Sequence, residues 1–130
     1  MTLTLRPDHF TLLSRDLGAT QGFYTGLLGF TVGARPAMRR GGLWLYQAGR
    51  PVLHVIETTH LPDPPGGVLD HMAFRAGTAW RGEDDEPLIL ALRERGVVYR
   101  LVPTAPPWRQ MKLFFEGPSG EVVEVDFDLP

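Results

Sequence analysis

The stretch TTHLPDPPGG, residues 58–67, divides the chain near its middle and constrains everything else. It holds three prolines and two glycines in ten positions. Proline fixes φ and removes a backbone donor, and glycine resists ordering, so neither a helix nor a central strand can run through it. The segment reads as a linker, and each side of it must supply its own elements. The two sides echo one another. RPDHFTL at 6–12 returns as VLDHMAF at 68–74, with the aspartates 62 positions apart. Both copies set an Asp-His pair before alternating apolar residues, the signature of a half-buried strand.

The order of elements repeats as well. Residues 8–13 read as a strand. Asp16 is placed to cap a helix over 17–29, whose stripe is Leu17, Phe23, Tyr24, Leu27 and Leu28, with Gly29 at the expected left-handed stop. A strand over 30–34 and a turn over 36–42 follow. Then 43–57 reads as two strands joined tightly at Ala48-Gly49-Arg50. Beyond the linker come a strand over 68–76 and a helix over 83–96, with acids at its start and Arg93 and Arg95 at its end. A strand over 97–102 and a final hairpin built from MKLFFE and EVVEVDF complete the second half. The expectation is one α+β domain, 1–130, made of two βαβββ modules at 5–57 and 68–128.

Composition narrows the chemistry. The chain has 130 residues, no cysteine and a net charge of −2 without a basic run. Disulfides, thiolate metal sites and cysteine nucleophiles are excluded, and nucleic acid is not the expected partner. The N-terminus lacks the apolar core of a signal peptide and no apolar run approaches a membrane span, so the expected setting is the cytoplasm.

Four polar residues interrupt otherwise apolar strands: His9, His54, His71 and Glu124. His9 and His71 begin the two first strands, whereas His54 and Glu124 occupy matching places in the two last ones. A half-turn relating the modules brings all four toward one centre. A lone strand histidine is more often a hydrogen-bonded core or rim residue than a ligand. An unpaired buried glutamate, by contrast, is costly. A shared divalent cation resolves all four at once, and imidazole with carboxylate suits zinc, nickel, iron(II), manganese or cobalt.

Across nearly its whole length the chain resembles the vicinal oxygen chelate superfamily of glyoxalases, epimerases, extradiol dioxygenases, fosfomycin-resistance thiol transferases and bleomycin-resistance proteins. The likeness is carried by DHF at 8–10, FYTGLLGF at 23–30, DHMAF at 70–74 and GPSGEVVEVDF at 117–127. It implies paired βαβββ modules whose eight strands form a barrel-like curved sheet around one divalent metal. His9, His71 and Glu124 then fall on the three common ligand positions. His54 falls on a fourth, where subfamilies differ, and is either a ligand or an acid–base group. The resemblance, together with open strand edges, also implies a homodimer.

Glyoxalase-like isomerase or lyase chemistry on a small substrate with adjacent oxygens is the leading expectation, with His54 as base and Glu124 second. Extradiol ring cleavage by iron(II) is the alternative. The family's cleaving enzymes place a tyrosine where this chain has Phe114, and the histidine expected in the preceding loop is missing from PTAPPWRQ. Fosfomycin-type thiol transfer ranks third: Thr11 follows His9 by two, but the basic, serine-rich loop of such enzymes is absent from 100–116. Non-catalytic drug binding remains, although members of that branch usually lack the metal residues. Trp44, Arg109 and Phe114 are the candidate substrate contacts, weighed against the commoner fates of aromatic core packing and a solvated arginine.

Overall fold

A computed structural model describes residues 3–130. It divides into two compact units between Leu61 and Pro62, inside the proline-rich stretch. No described helix is long and apolar enough to cross a membrane.

The first unit contains β1 (Phe10–Ser14), α1 (Leu17–Leu28), β2 (Thr31–Gly33), β3 (Gly42–Gln47) and β4 (Arg50–Glu57). Its four strands form one sheet in the order β1-β4-β3-β2, with β1 parallel to β4 and the other pairs antiparallel. Alternation sorts the side chains between the two faces. Leu45, Leu53 and Val55 are fully buried on one face, and α1 adds Phe23 and Tyr24 to the core. Burying each leucine contributes roughly 1.5–3 kcal/mol relative to exposure. The Asp16 carboxylate caps α1 by accepting from the Ala19 N–H at 3.0 Å, and Gly29 ends it at φ 71°. Both features match expectation.

The second unit contains β5 (Met72–Arg75), α2 (Pro87–Glu94), β6 (Tyr99–Pro103), β7 (Gln110–Glu116) and β8 (Val122–Asp128). Its sheet order, β5-β8-β7-β6, repeats that of the first unit position for position. The buried face carries Leu113, Phe115, Val123, Val125 and Phe127. The fold is thus α+β, with eight strands in two four-stranded sheets and two helices.

Several boundaries differ from the sequence reading, and three are informative. β1 and β5 begin at Phe10 and Met72, immediately after the histidines, not before them. Before β5 the chain is still turning, with Gly66 and Gly67 at positive φ and the Leu69 N–H bonded to the Gly66 carbonyl. α2 starts at Pro87, not at residue 83. Proline suits the first helical position, where its missing N–H leaves nothing unpaired. The acids before it are used sideways: Asp84 accepts from Arg93, and Glu83 accepts from the Tyr99 hydroxyl.

Candidate metal and substrate site

Each sheet has a second face, and the polar residues stand there in matching rows. In the first unit Thr11 pairs with His54, His54 with Trp44 and Trp44 with Gly33. In the second, Ala73 pairs with Glu124, Glu124 with Phe114 and Phe114 with Arg100. Thr11 and Ala73 each lie two residues past their histidine. His54 and Glu124 therefore occupy equivalent ladder positions, as do Trp44 and Phe114.

The Asp-His repeat has a physical use. His9 Nδ1 lies 2.7 Å from Asp8 Oδ2, and His71 Nδ1 lies 2.7 Å from Asp70 Oδ2. A carboxylate accepting at Nδ1 holds the proton there and presents Nε2 with its lone pair outward, the arrangement that metal-ligating histidines use. The two pairs are alike in exposure too, with the imidazoles 36% and 35% accessible. The hydrogen bond from His9, followed by that residue's charge, lowers the Asp8 pKa against slight desolvation. The sequence reading quoted both aspartates but gave them no role, although their repetition before each histidine was a usable signal.

In the first unit His9, His54 and Trp44 form one aromatic stack. The His9 and His54 ring centroids are 3.7 Å apart at 13°, and Trp44 covers the other face of His54 at 3.8 Å and 9°. The stack leaves His54 Nε2 buried without a hydrogen-bond partner. Burial lowers the His54 pKa first and the charge of His9 adds to this, while a backbone hydrogen bond at Pro51 and the Asp8 charge oppose it. The lowered pKa favours the neutral ring, with an unshared pair on the buried Nε2.

In the second unit Glu124 is 3% exposed. Its Oε1 is 3.3 Å from His71 Nε2, and its Oε2 is 3.8 Å from Lys112 Nζ. Burial raises its pKa first and hydrogen bonding to Asp126 adds to the rise, opposed by the nearby Lys112 charge and, less, by His71. The Phe114 ring stands edge-on to His71 at 5.8 Å. Lys112 and Asp126 are further members of this cluster that the sequence reading did not name. Arg109 is exposed and donates to the Pro130 carbonyl at 2.8 Å.

The structure thus brings together His9, His54 and Trp44 in one unit, and His71, Glu124 and Phe114 in the other. Among the described residues, no group of three or more metal-competent side chains is gathered. The first unit offers an Asp-oriented imidazole and an orphaned imidazole nitrogen, and the second an Asp-oriented imidazole and a buried carboxylate, donor types that suit borderline divalent cations.

The family model of the Glyoxalase/Bleomycin resistance protein/Dioxygenase superfamily matches residues 6–125. The chain belongs to this superfamily. Solved structures share its fold. A glyoxalase family protein of Bacillus anthracis is 16% identical, with 98% of each chain covered and a TM-score of 0.74. The fosfomycin resistance protein FosX of Listeria monocytogenes is 18% identical, covering 96% of this chain and 91% of its own, with a TM-score of 0.67. TnmS3, an antibiotic binding protein from Streptomyces sp. CB03234, is 22% identical, with 98% of each chain covered and a TM-score of 0.64. No curated protein matches the sequence. Superfamily members bind small molecules, commonly with a divalent metal, and include both enzymes and binding proteins.

Proposed function

We propose that the protein is a divalent-metal-dependent enzyme of the glyoxalase kind, acting on a small molecule with two adjacent oxygens. His9, His71 and Glu124 are the proposed ligands and His54 the proposed base. The observation that carries this reading is the placement of His54, stacked between two flat rings with Nε2 buried and unpartnered.

The same stack argues for a division of labour. A ligand imidazole aims its lone pair within the ring plane, at about 2.0–2.1 Å from the ion. His9 and His54 are nearly parallel and 3.7 Å apart. The in-plane lone pairs of two parallel, face-to-face rings run side by side and do not converge, so the two rings as stacked do not serve one ion. His9 has the orienting carboxylate and takes the ligand role, which leaves His54 Nε2 to accept a proton.

When bound, a divalent ion supplies Lewis-acid polarisation of two neighbouring substrate oxygens. Asp8 and Asp70 keep the ligand imidazoles in the right tautomer. Trp44 fixes the plane of His54 so that Nε2 faces one direction. His54 accepts the proton of the acidified carbon and returns it, a role that needs the neutral ring its surroundings favour. Phe114 bears no hydroxyl, so it offers no acid–base group beside Glu124, a point against ring cleavage.

The test is elemental analysis of untagged protein, as purified and after loading with nickel, cobalt or iron(II). Turnover trials on methylglyoxal–thiol adducts and catechols, with and without oxygen, accompany it. One metal per chain, lost in Glu124→Gln and His71→Ala, is expected. His54→Ala should cost more in turnover than in metal affinity. Protein that takes up no metal would be a binding protein, and the proposal would be wrong.

A further inference from the structure

The second sheet carries two cations that the repeat does not require. Arg100 and Lys112 lie on the Glu124 face, Arg100 in the row of Glu124 and Lys112 in the adjacent row opposite Asp126. The corresponding positions of the first sheet are Gly33, across from Trp44, and Gly42, across from Ile56. Both glycines have packing reasons. A Cβ on Gly33 would meet the Tyr46 ring at 2.5 Å, and one on Gly42 would meet the Val55 carbonyl oxygen at 2.0 Å. The fold thus builds this sheet with no side chain at either position, and the second unit adds charge at both.

The two cations border one groove. Arg100, Val102, Pro103, Thr104, Trp108, Lys112 and Phe114 are among the residues that line about 550 Å³, a volume suited to a small ligand. No lining residue is acidic. Arg100 lies over Phe114, its guanidinium carbon 4.2 Å from the ring centroid, and among the described residues it forms no ion pair. Lys112 reaches Glu124 only at 3.8 Å, which leaves most of its donors free. Trp108 is 66% exposed at the same groove, which is unusual for the largest apolar side chain. Free cations beside exposed flat surfaces match a ligand with an acid at one end and an apolar, planar body.

The geometry points to this groove as the specificity subsite of the proposed enzyme, taking the carboxylate-bearing, planar arm of its substrate. Arg100 and Lys112 hold the anion, and Phe114 and Trp108 cover the apolar body. The inference rests on Glu124 belonging to the reaction site, and it puts Arg100, not Arg109, on the substrate. Arginine on an aromatic face is pre-oriented to offer a carboxylate two parallel N–H donors.

Calorimetric titration with 2-naphthoate and its neutral isostere 2-naphthamide tests the assignment, on protein as purified and on protein kept in a chelator. The acid is expected to bind at least about tenfold more tightly than the amide in both. Arg100→Gln should bring the two within about threefold, Arg100→Lys should fall between, and Trp108→Ala should weaken acid and amide alike. Equal binding of acid and amide by the parent protein would overturn the inference, as would an unchanged preference in Arg100→Gln. Because the chelator arm needs no metal, loss of the metal reading would leave the preference standing. Loss of the preference in metal-loaded protein would overturn only the subsite.

Discussion

Asp70→Asn separates a ligand-orienting role from a structural one. Asp70 Oδ2 accepts from His71 Nδ1 at 2.7 Å, and its side chain is 93% exposed, so it contributes little packing. Asparagine keeps the shape and can still accept, but without the charge that strengthens the bond and raises the basicity of Nε2. Losing such a partner typically lowers metal affinity roughly 10–100-fold. With one hydrogen bond, at an exposed site, the lower end is expected, about tenfold. Asp8→Asn should behave alike, since His9 and Asp8 have the same 2.7 Å separation and similar exposure. The two aspartates serve different imidazoles, so the double variant should lose about a hundredfold. Competition against a chromogenic chelator for zinc or cobalt reads the affinity, and thermal unfolding in excess chelator reads the fold. The orienting role is refuted if metal affinity is unchanged, or if the metal-free variant is destabilised enough to explain its loss.

Two predictions concern the scaffold that positions His54. Gly42→Ala places a Cβ 2.0 Å from the Val55 carbonyl oxygen, so β3 must move off β4; the cost should sit at the upper end of the roughly 1–3 kcal/mol of overpacking. Urea unfolding checks this, and a loss below about 0.5 kcal/mol, the usual range of a neutral surface change, contradicts it. Ala48 sits at φ 49° in the turn between β3 and β4, a left-handed conformation that asparagine adopts more readily. Ala48→Asn should therefore stabilise the protein by about 0.5–1 kcal/mol, and an unchanged unfolding midpoint would speak against strain there.

What the sequence disclosed follows from which signals are local. The paired βαβββ order was legible because each module carries its own punctuation: Asp16 and Gly29 around α1, Ala48-Gly49 between β3 and β4, and the proline-rich stretch at 58–67. The equivalence of His54 and Glu124 was legible from strand order, and the ladders bear it out through Thr11 and Ala73. The start of α2 differs because the acids before it resemble first-turn residues, whereas Pro87 is itself the stronger marker. The uses of Asp84 and Glu83 depend on Arg93 and Tyr99, which tertiary packing delivers. The stack of Trp44, His54 and His9 was out of reach for the same reason. Alternation puts Trp44 and His54 on one face, but it does not say that three rings will lie parallel.

The two modules share a framework and differ in charge, and that difference has one direction. Matching positions hold histidine and histidine at the strand starts, then imidazole and carboxylate at the ladder centre, then tryptophan and phenylalanine beside them. In the proposed site, two ligand imidazoles and one carboxylate would leave a dication with a formal charge of +1, where two carboxylates would leave none. Arg100 and Lys112 add two positive charges on the Glu124 face, one of them offset by Asp126 opposite Lys112, and no residue lining their groove is acidic. Arg100 is exposed, so its attraction for a ligand is open to screening by salt. A neutral substrate would gain nothing from this excess, whereas an anion that also offers adjacent oxygens would be drawn and held by it. High salt should therefore weaken binding of 2-naphthoate more than that of 2-naphthamide. Equal salt dependence of the two would mean that these cations do not act on the ligand.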